Sequence, residues 1–172
     1  LAEPIPEPEL PEGLRALPYA PSYRDALREA FNETFSDHWG FEPVTEEDWR
    51  LFFIDTEEFR PDLSWLALAG EEIAGYSING VNEAECERLG ERRAWISQLG
   101  VRRPWRKRGV ATALLRLSMR SFRDAGLEAA VLGVDSENLT GAVAIYERAG
   151  FRAFREIRLF EKAVSAEGAR PG

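Results

Sequence analysis

The sequence predicts an α+β protein, or an α/β one, built on a central mixed β-sheet flanked by helices. Three observations support this fold class. Short apolar runs and amphipathic segments alternate in the order β-α-α-β-β-β-α-β-α-β. Gly70, between two apolar runs, is typical of a β-hairpin, whereas Gly126 and Gly150 end amphipathic segments as helix-terminating glycines do. An antiparallel meander followed by βαβ crossovers gives a mixed sheet.

The first half of the chain is predicted to carry two helices between its first and second strands. Residues 14–18 form a short strand, and residues 22–35 a helix, because their apolar positions recur with helical period. Residues 45–54 begin with an acidic first turn and form the second helix. The apolar runs 64–69 and 73–81 then form the two strands of the hairpin.

The second half of the chain is predicted to alternate strands with helices. A polar segment at 82–92 is predicted to be a loop. The elements predicted after it are a strand at 93–101, a helix at about 107–125, a strand at 127–134, a helix at 140–149, and a last strand or hairpin within 151–163.

Composition limits the class of protein and its compartment. The 172 residues, 44% hydrophobic and 30% charged, suit one soluble globular domain. No apolar run reaches the roughly 18–20 residues of a membrane span, and no signal peptide pattern is present. Since Cys86 is the single cysteine, no intrachain disulfide can form, and the cytoplasm is the predicted location. A net charge of −8 argues against a nucleic-acid partner.

The ends of the chain differ in composition from its centre. Residues 1–12 alternate Pro and Glu, which is typical of an extended linker or leader. Residues 13–164 are predicted to be the folded domain, and residues 165–172 a flexible tail. The Pro-rich leader indicates a domain taken from a longer protein, with a processed single-domain protein as the alternative.

The most informative segment is a basic turn between the strand at 93–101 and the helix that follows it. Gly109 lets the backbone approach a ligand closely, and the first amides of the helix would direct unpaired N–H groups to the same place. The turn contains five basic residues and no acid, namely Arg102, Arg103, Arg106, Lys107 and Arg108. This arrangement predicts an anion site that suits a diphosphate.

Two motifs together resemble one enzyme family. Arg106-x-x-Gly109-x-Ala111 is similar to the R/Q-x-x-G-x-G/A signature of the GNAT N-acetyltransferases. Residues 138–151 are similar to the family segment N-x-x-A-x-x-x-Y-x-x-x-G-F, in which either Gly141 or Ala142 takes the Ala position. The resemblance covers about residues 95–162, and it implies the GNAT acyl-CoA N-acyltransferase fold with acetyl-CoA as cofactor.

The resemblance also implies which residues bind the cofactor. Backbone N–H groups of the turn would hold the diphosphate, and the strand end would pair with the pantetheine arm as an added strand. Arg102, Arg103 or Lys107 would reach the ribose 3′-phosphate, and Asn138 would either contact the cofactor or only cap a helix. The implied cofactor-binding residues are Leu99, Gly100, Val101, Arg106, Lys107, Arg108, Gly109, Val110, Ala111 and Asn138.

Acetyl transfer to an amine needs a group that protonates the departing thiolate and a group that takes the amine proton. By resemblance Tyr146 is the acid, with a core-facing aromatic as the alternative. The general base is not evident. His38, the only histidine, is either a base, a substrate contact or an ordinary loop residue. Other possible bases are Ser97, Gln98, Glu46, Glu47, Asp48, Glu83, Glu85, Glu87 and Glu91, although such charge runs are usually solvated.

The expected function is N-acetyltransfer from acetyl-CoA to a primary amine of a small-molecule acceptor, by direct attack in a ternary complex. No metal, nucleic acid or membrane is expected to take part. The leader and residues 37–41 resemble the C-terminal halves of tandem GNAT proteins, mycothiol-synthase-like ones among them. A fused N-terminal GNAT domain or a homodimer is therefore an expected partner, and a non-catalytic half-domain is the alternative function.

Overall fold

The computed structural model describes residues 4–36, 41–134 and 142–156. The first half folds as predicted, with two strands that form a hairpin after two helices. Its elements are β1 (Leu14–Pro18), α1 (Arg24–Phe35), α2 (Glu46–Trp49), β2 (Trp65–Ala69) and β3 (Glu72–Gly80). A 3-10 turn, Pro21–Tyr23, precedes α1, and a π-helical turn, Arg50–Ile54, continues α2. Thr45 caps α2, because its side chain accepts the Asp48 N–H at 3.1 Å.

The second half alternates helices and strands. Its elements are α3 (Glu83–Leu89), β4 (Arg93–Val101), α4 (Val110–Asp124), β5 (Ala129–Leu132) and α5 (Ala142–Arg148). Residues 151–156 form no regular element, and the rest of the last predicted strand lies outside the described residues.

Within the described residues the sheet has five strands in the order β1-β2-β3-β4-β5. The first three pairings are antiparallel, and β4 pairs with β5 in parallel. The sheet is therefore mixed, which confirms the predicted fold class. The parallel pair is joined through α4, as a crossover requires.

Helices cover both faces of the sheet. On one face, Leu27 and Phe31 of α1 pack with Tyr76 and Ile78 of β3. On the other face, the buried side of α4 packs against β3, β4 and β5, with Leu114, Leu115 and Phe122 fully buried. These two layers sandwich β4, so any ligand site on β4 is bounded by α1 and α4.

The prediction of a loop at 82–92 is wrong, because residues Glu83–Leu89 form α3. Its N-cap is Asn82, whose side chain accepts the Glu85 N–H at 2.7 Å, and Gly90 ends it at φ +65°. Only Cys86 of this helix is buried, so the segment lacks the apolar period by which a helix is recognised. The capping residues at both ends were the available signal.

Several other element boundaries differ from the predictions, most clearly in three elements. The helix predicted to begin near residue 107 begins at Val110, because Lys107 and Gly109 both have left-handed φ angles. β5 is shorter than the predicted 127–134 and extends over Ala129–Leu132. α1 is preceded by a 3-10 turn that occupies the predicted start at residue 22.

A polar cluster is buried between β3 and α4. The Asn79 amide nitrogen donates to the Leu63 carbonyl at 2.6 Å and to the Ser118 hydroxyl at 2.9 Å. The Asn79 amide oxygen accepts from Ser77 at 2.9 Å, and Ser118 donates to Ser77 at 3.0 Å. The Asn79 N–H donates to Ser64 at 2.9 Å, since β2 begins only at the next residue. The cluster is fully partnered, as burial of polar groups requires.

Part of the Pro/Glu-rich leader contacts the domain. Glu7 accepts from Arg116 through its carbonyl at 3.0 Å and pairs with Arg120 at 2.6 Å. Leu10 packs against the apolar cluster at the start of α4. The division at residue 12 stays a prediction. Within the described ranges, no helix combines the length and apolar character needed to cross a lipid bilayer.

Candidate functional site

The parallel pairing between β4 and β5 ends halfway along β4. Their pairing extends from Arg93 with Ala129 to Ile96 with Leu132, whereas β4 continues to Val101. The last five residues of β4 therefore have no partner in β5, and among the described residues this side of β4 is an open strand edge. Such an edge can pair with an extended ligand as another strand would. The predicted residues Leu99, Gly100 and Val101 lie on this part of β4.

A β-bulge lies where the pairing of β4 with β5 ends. Ile78 pairs with Gln98 but Asn79 pairs with Ile96, so β4 has one residue more than β3 at this point, Ser97. Before the bulge, Ile96 packs with the α4 side of the core, and after it Leu99 and Val101 do so. The bulge thus reverses the side-chain phase of the strand.

Gly100 has a packing role as well as its predicted one. It pairs with Tyr76, and a β-carbon at Gly100 would lie 2.3 Å from both Cζ and Oη of that ring. The Tyr76 hydroxyl donates to Thr34 at 2.5 Å, because the Thr34 hydroxyl itself donates to the Phe31 carbonyl at 3.0 Å. Burial raises the pKa of Tyr76 far above its ordinary value. Glycine at 100 is therefore required by the ring beneath it.

The basic turn ends in a helix N-terminus that has no side-chain cap. Gly109, at φ +89°, is the N-cap residue, and Ala113 donates to its carbonyl at 3.0 Å. The amides of Val110 and Ala111 precede that first bond and are directed out of the helix. Lys107 has φ +60°, and left-handed residues in a turn bring successive N–H groups together. No acid lies in the first turn of α4, so this end of the helix is electropositive.

Space and charge at this turn suit an anion. A β-carbon at Gly109 would meet nothing within 4 Å, so the space above the turn is open. Lys107 and Arg108 are exposed, and Val110 is buried beneath them. The predicted residues Lys107, Arg108, Gly109, Val110 and Ala111 thus lie together around one helix N-terminus.

Arg106 contacts the neighbouring backbone as well as lying in the basic turn. Its Nε donates to the Val101 carbonyl at 3.0 Å and one Nη donates to the Thr34 carbonyl at 3.3 Å. These bonds link the end of β4 to the last turn of α1. Arg102, which was one possible ribose-phosphate contact, pairs with Glu33 at 2.6 Å and with Glu72 at 2.5 Å. Its guanidinium also lies 5.7 Å from the centre of the Trp105 ring.

Tyr146 lies on α5 and packs against the apolar cluster on the α4 side of the sheet. Two residues near the end of the pairing between β4 and β5 pack against that cluster too, namely Leu99 and Leu132. The ring meets Phe151 edge-on, with centroids 6.2 Å apart. Burial raises the pKa of the Tyr146 phenol, so the hydroxyl is a proton donor at neutral pH. This position is compatible with both alternatives drawn from the sequence, an acid and a core-facing aromatic.

A groove of about 680 Å³ lies beside the bulge, with a smaller cavity of about 100 Å³ next to it. Glu58, Gly80 and Ser97 line both. Of the general bases considered from the sequence, Ser97 and Glu85 line the groove, whereas Glu46, Glu47 and Asp48 form the exposed first turn of α2. Polar and aromatic side chains of the groove are Glu58, Asn82, Glu85, Arg88, Trp95 and Ser97.

Glu58 was missed by sequence reasoning. It lies in an irregular segment between the π-helical turn and β2, where no motif or periodic pattern points to a site. Only the tertiary structure brings it next to β4. His38 and Asn138 lie outside the described residues.

A mixed sheet whose parallel pairing ends beside an uncapped, basic helix N-terminus is the arrangement that the two sequence motifs imply for the N-acetyltransferase fold class. The family comparison agrees with this classification. The chain belongs to the Acetyltransferase (GNAT) family, which it matches over residues 24–151.

Relatives and solved structures extend the comparison. The chain is 34% identical to mycothiol acetyltransferase of Streptomyces coelicolor, over 86% of this chain and 45% of the relative. It is 33% identical to a GCN5-related N-acetyltransferase from Sphaerobacter thermophilus, with a TM-score of 0.70 over 87% of this chain and 44% of that one. An aminoglycoside N-acetyltransferase in complex with CoA, 13% identical, shares the fold with a TM-score of 0.62 over 88% and 94% of the two chains. The chain spans about half the length of the curated relatives it matches.

Proposed function

We propose that this domain transfers the acetyl group of acetyl-CoA to a primary amine of a small-molecule acceptor, by direct attack in a ternary complex. The observation that carries the proposal is the open edge of β4 ending beside the uncapped N-terminus of α4. An extended arm and a diphosphate, the two ends of one cofactor, need those two features side by side.

The residues present fit acetyl-CoA. The amides of Val110 and Ala111 and the charges of Lys107 and Arg108 would hold the diphosphate. The free edge of residues 97–101 would pair with the pantetheine arm, and the open space above Gly109 would admit the phosphates. When bound, acetyl-CoA supplies an activated acetyl thioester. Arg106 would keep the strand end and α1 in place through its bonds to Val101 and Thr34.

Tyr146 would donate its proton to the departing sulfur. Its raised pKa keeps the phenol protonated at neutral pH, and its packing on the Leu99 cluster puts it on the α4 side of the open edge. The groove lies on the other side of the bulge and would admit the acceptor. Cys86 is buried, with its Sγ bonded to the Arg93 backbone at 3.4 and 3.5 Å. The chain has no other thiol, and a buried thiol is a poor nucleophile, so the cysteine content gives no support to a covalent acetyl-enzyme.

The half-length match to the relatives supports a tandem arrangement, in which a second GNAT domain is fused to this one. The free thiol and the composition support a cytoplasmic protein. The half-length match also favours a second function, in which this domain keeps only cofactor binding or packing against such a partner.

Calorimetric titration of the chain with acetyl-CoA and with CoA tests the proposal. Gly109→Glu should weaken binding more than 100-fold. A carboxylate about 5 Å from a phosphate charge costs about 3 kcal/mol at an effective dielectric constant of about 20. Gly70→Glu is the matched control, because Gly70 has the same left-handed backbone and equally open surroundings in the hairpin. Equal affinities of the two variants would refute the diphosphate assignment, and binding without turnover of any amine would favour the second function.

A further inference from the structure

The groove beside the bulge has the size of a small-molecule site. Its volume of about 680 Å³ lies within the range of roughly 300–1,000 Å³ that is usual for small-molecule sites. Ser97, the extra residue of the bulge, lines it and is exposed. The groove therefore reaches the position on β4 at which the pairing with β5 ends and the open edge begins.

The two carboxylates of the groove differ in their partners. Glu85 accepts from the Trp95 indole N–H at 2.6 Å and lies 3.9 Å from Arg88. Glu58 instead accepts from the Asn82 amide nitrogen at 2.5 Å. Within the described residues Glu58 has no basic side chain at ion-pair distance. The negative charge of this carboxylate can therefore attract a cation that enters the groove.

Asn82 fixes the direction of that carboxylate. Its amide oxygen accepts the Glu85 N–H as the N-cap of α3, so its NH₂ group must point away from the helix, toward Glu58. The cap of α3 therefore also positions Glu58.

The backbone of Glu58 is held as firmly as its side chain. Its carbonyl accepts the Val81 N–H at 2.8 Å, and Arg60 donates to the Asn79 carbonyl at 2.9 Å. A β-carbon at Gly80 would lie 2.9 Å from the Glu58 carbonyl oxygen and 3.5 Å from the Ser97 hydroxyl. This close approach places the Glu58 segment directly over the end of β3, next to the bulge.

We propose that Glu58 binds the ammonium group of the acceptor and takes its proton as the amine attacks. This inference rests on the proposed function. The new bond joins the amine nitrogen to the acetyl carbon, and the carbon–sulfur bond breaks. The ammonium nitrogen loses two protons in all: the first passes to the Glu58 carboxylate and frees the attacking lone pair, and the second passes to solvent after the attack. Tyr146 gives its proton to the departing sulfur and is reprotonated from solvent. The ligand class is a small polar molecule that carries a primary ammonium, with Trp95 offering an aromatic wall.

The test uses the full chain, with D-glucosamine as the cationic probe and D-glucose as its uncharged counterpart. The Trp95 indole N–H signal, assigned in a ¹⁵N-correlated NMR spectrum with Trp95→Phe, reports on occupancy of the groove. Glucosamine should shift this signal at concentrations at which glucose does not. Glu58→Gln should weaken the response at least tenfold, whereas Glu57→Gln should leave it unchanged, because Glu57 is exposed like Glu58 but does not line the groove. Equal responses to both sugars, or an undiminished response in Glu58→Gln, would overturn the proposal.

Two further measurements separate the roles. CoA release with glucosamine should fall at least about 100-fold in kcat/KM for Glu58→Gln, the scale of a general base. Activity equal to that of Glu57→Gln would overturn the proton-accepting role. Asn82→Asp keeps a cap on α3 but replaces the donor to Glu58 by an acceptor, so kcat should fall while thermal stability stays near the wild-type value. Titration of the same samples with acetyl-CoA tests the proposed function separately. A Glu58→Gln sample that loses its response to glucosamine but keeps its affinity for acetyl-CoA has a defect at the acceptor site and not at the cofactor site.

Discussion

Replacing Gly100 by alanine measures how tightly β4 is packed where it leaves β5. The added β-carbon would lie 2.3 Å from the Tyr76 ring, more than 1 Å inside the 3.4–4 Å of an ordinary contact. Tyr76 is fully buried, so the ring cannot swing into solvent. Either the ring or the strand must move.

The size of the effect follows from the contacts that must give way. Overpacking a buried site costs about 1–3 kcal/mol. Displacing the ring also strains its 2.5 Å bond to Thr34, which is worth about 1 kcal/mol. A total of about 3 kcal/mol lowers Tm by about 6–12 °C in a domain of this size.

Urea and thermal unfolding of Gly100→Ala and of Gly133→Ala provide the assay. Gly133 is the matched control, because a β-carbon there would meet nothing within 4 Å. In a Tyr76→Leu background the clash is absent, and Gly100→Ala should cost less than about 1 kcal/mol. The reasoning is wrong if Gly100→Ala is as harmless as Gly133→Ala, or if its cost is the same in both backgrounds.

Two further predictions concern the buried cluster and the acid. Asn79→Leu removes one hydrogen-bond partner from the Leu63 carbonyl and one from each of two buried serine hydroxyls, so the free energy of unfolding should fall by about 3 kcal/mol in urea titrations. A loss below about 1 kcal/mol would contradict the network. Tyr146→Phe should lower kcat about 100-fold with acetyl-CoA affinity within about twofold of wild type. Because burial raises the Tyr146 pKa above its ordinary value of 10, this residue should produce no fall in kcat/KM below pH 10. A fall near pH 8 that disappears in Tyr146→Phe would disprove that assignment.

Elements with a strong local signal were predictable from the sequence. β1 and β4 have the predicted bounds, and Gly70 turns the hairpin at φ +61°. The alternation of apolar runs and the glycines at helix ends depend only on neighbours in the chain. The same is true of the basic turn, whose components all lie within residues 102–111. Their juxtaposition could therefore be predicted without a tertiary structure.

Features that depend on distant contacts were not predictable. The groove takes residues from the segment before β2, the end of β3, α3 and β4, and no local pattern joins them. α3 was missed because a helix that buries a single cysteine has almost no apolar period. The sequence assigned Arg106 to the anion site, but its bonds to Val101 and Thr34 depend on where α1 lies in the fold.

The bulge at Ser97 also limits how this chain can vary in length. Ile96 before it and Leu99 after it reach the same α4 face only because one extra residue separates them. Loss of one residue here would restore a regular ladder with β3 but turn one half of β4 over, which would aim Leu99 away from α4 and toward the α1 face of the sheet. Gly100 would then face α4 and leave the Tyr76 ring uncovered. Single insertions or deletions in β4 should therefore be selected against. An insertion on one side of Ser97 should be tolerated when a deletion on the other side compensates for it.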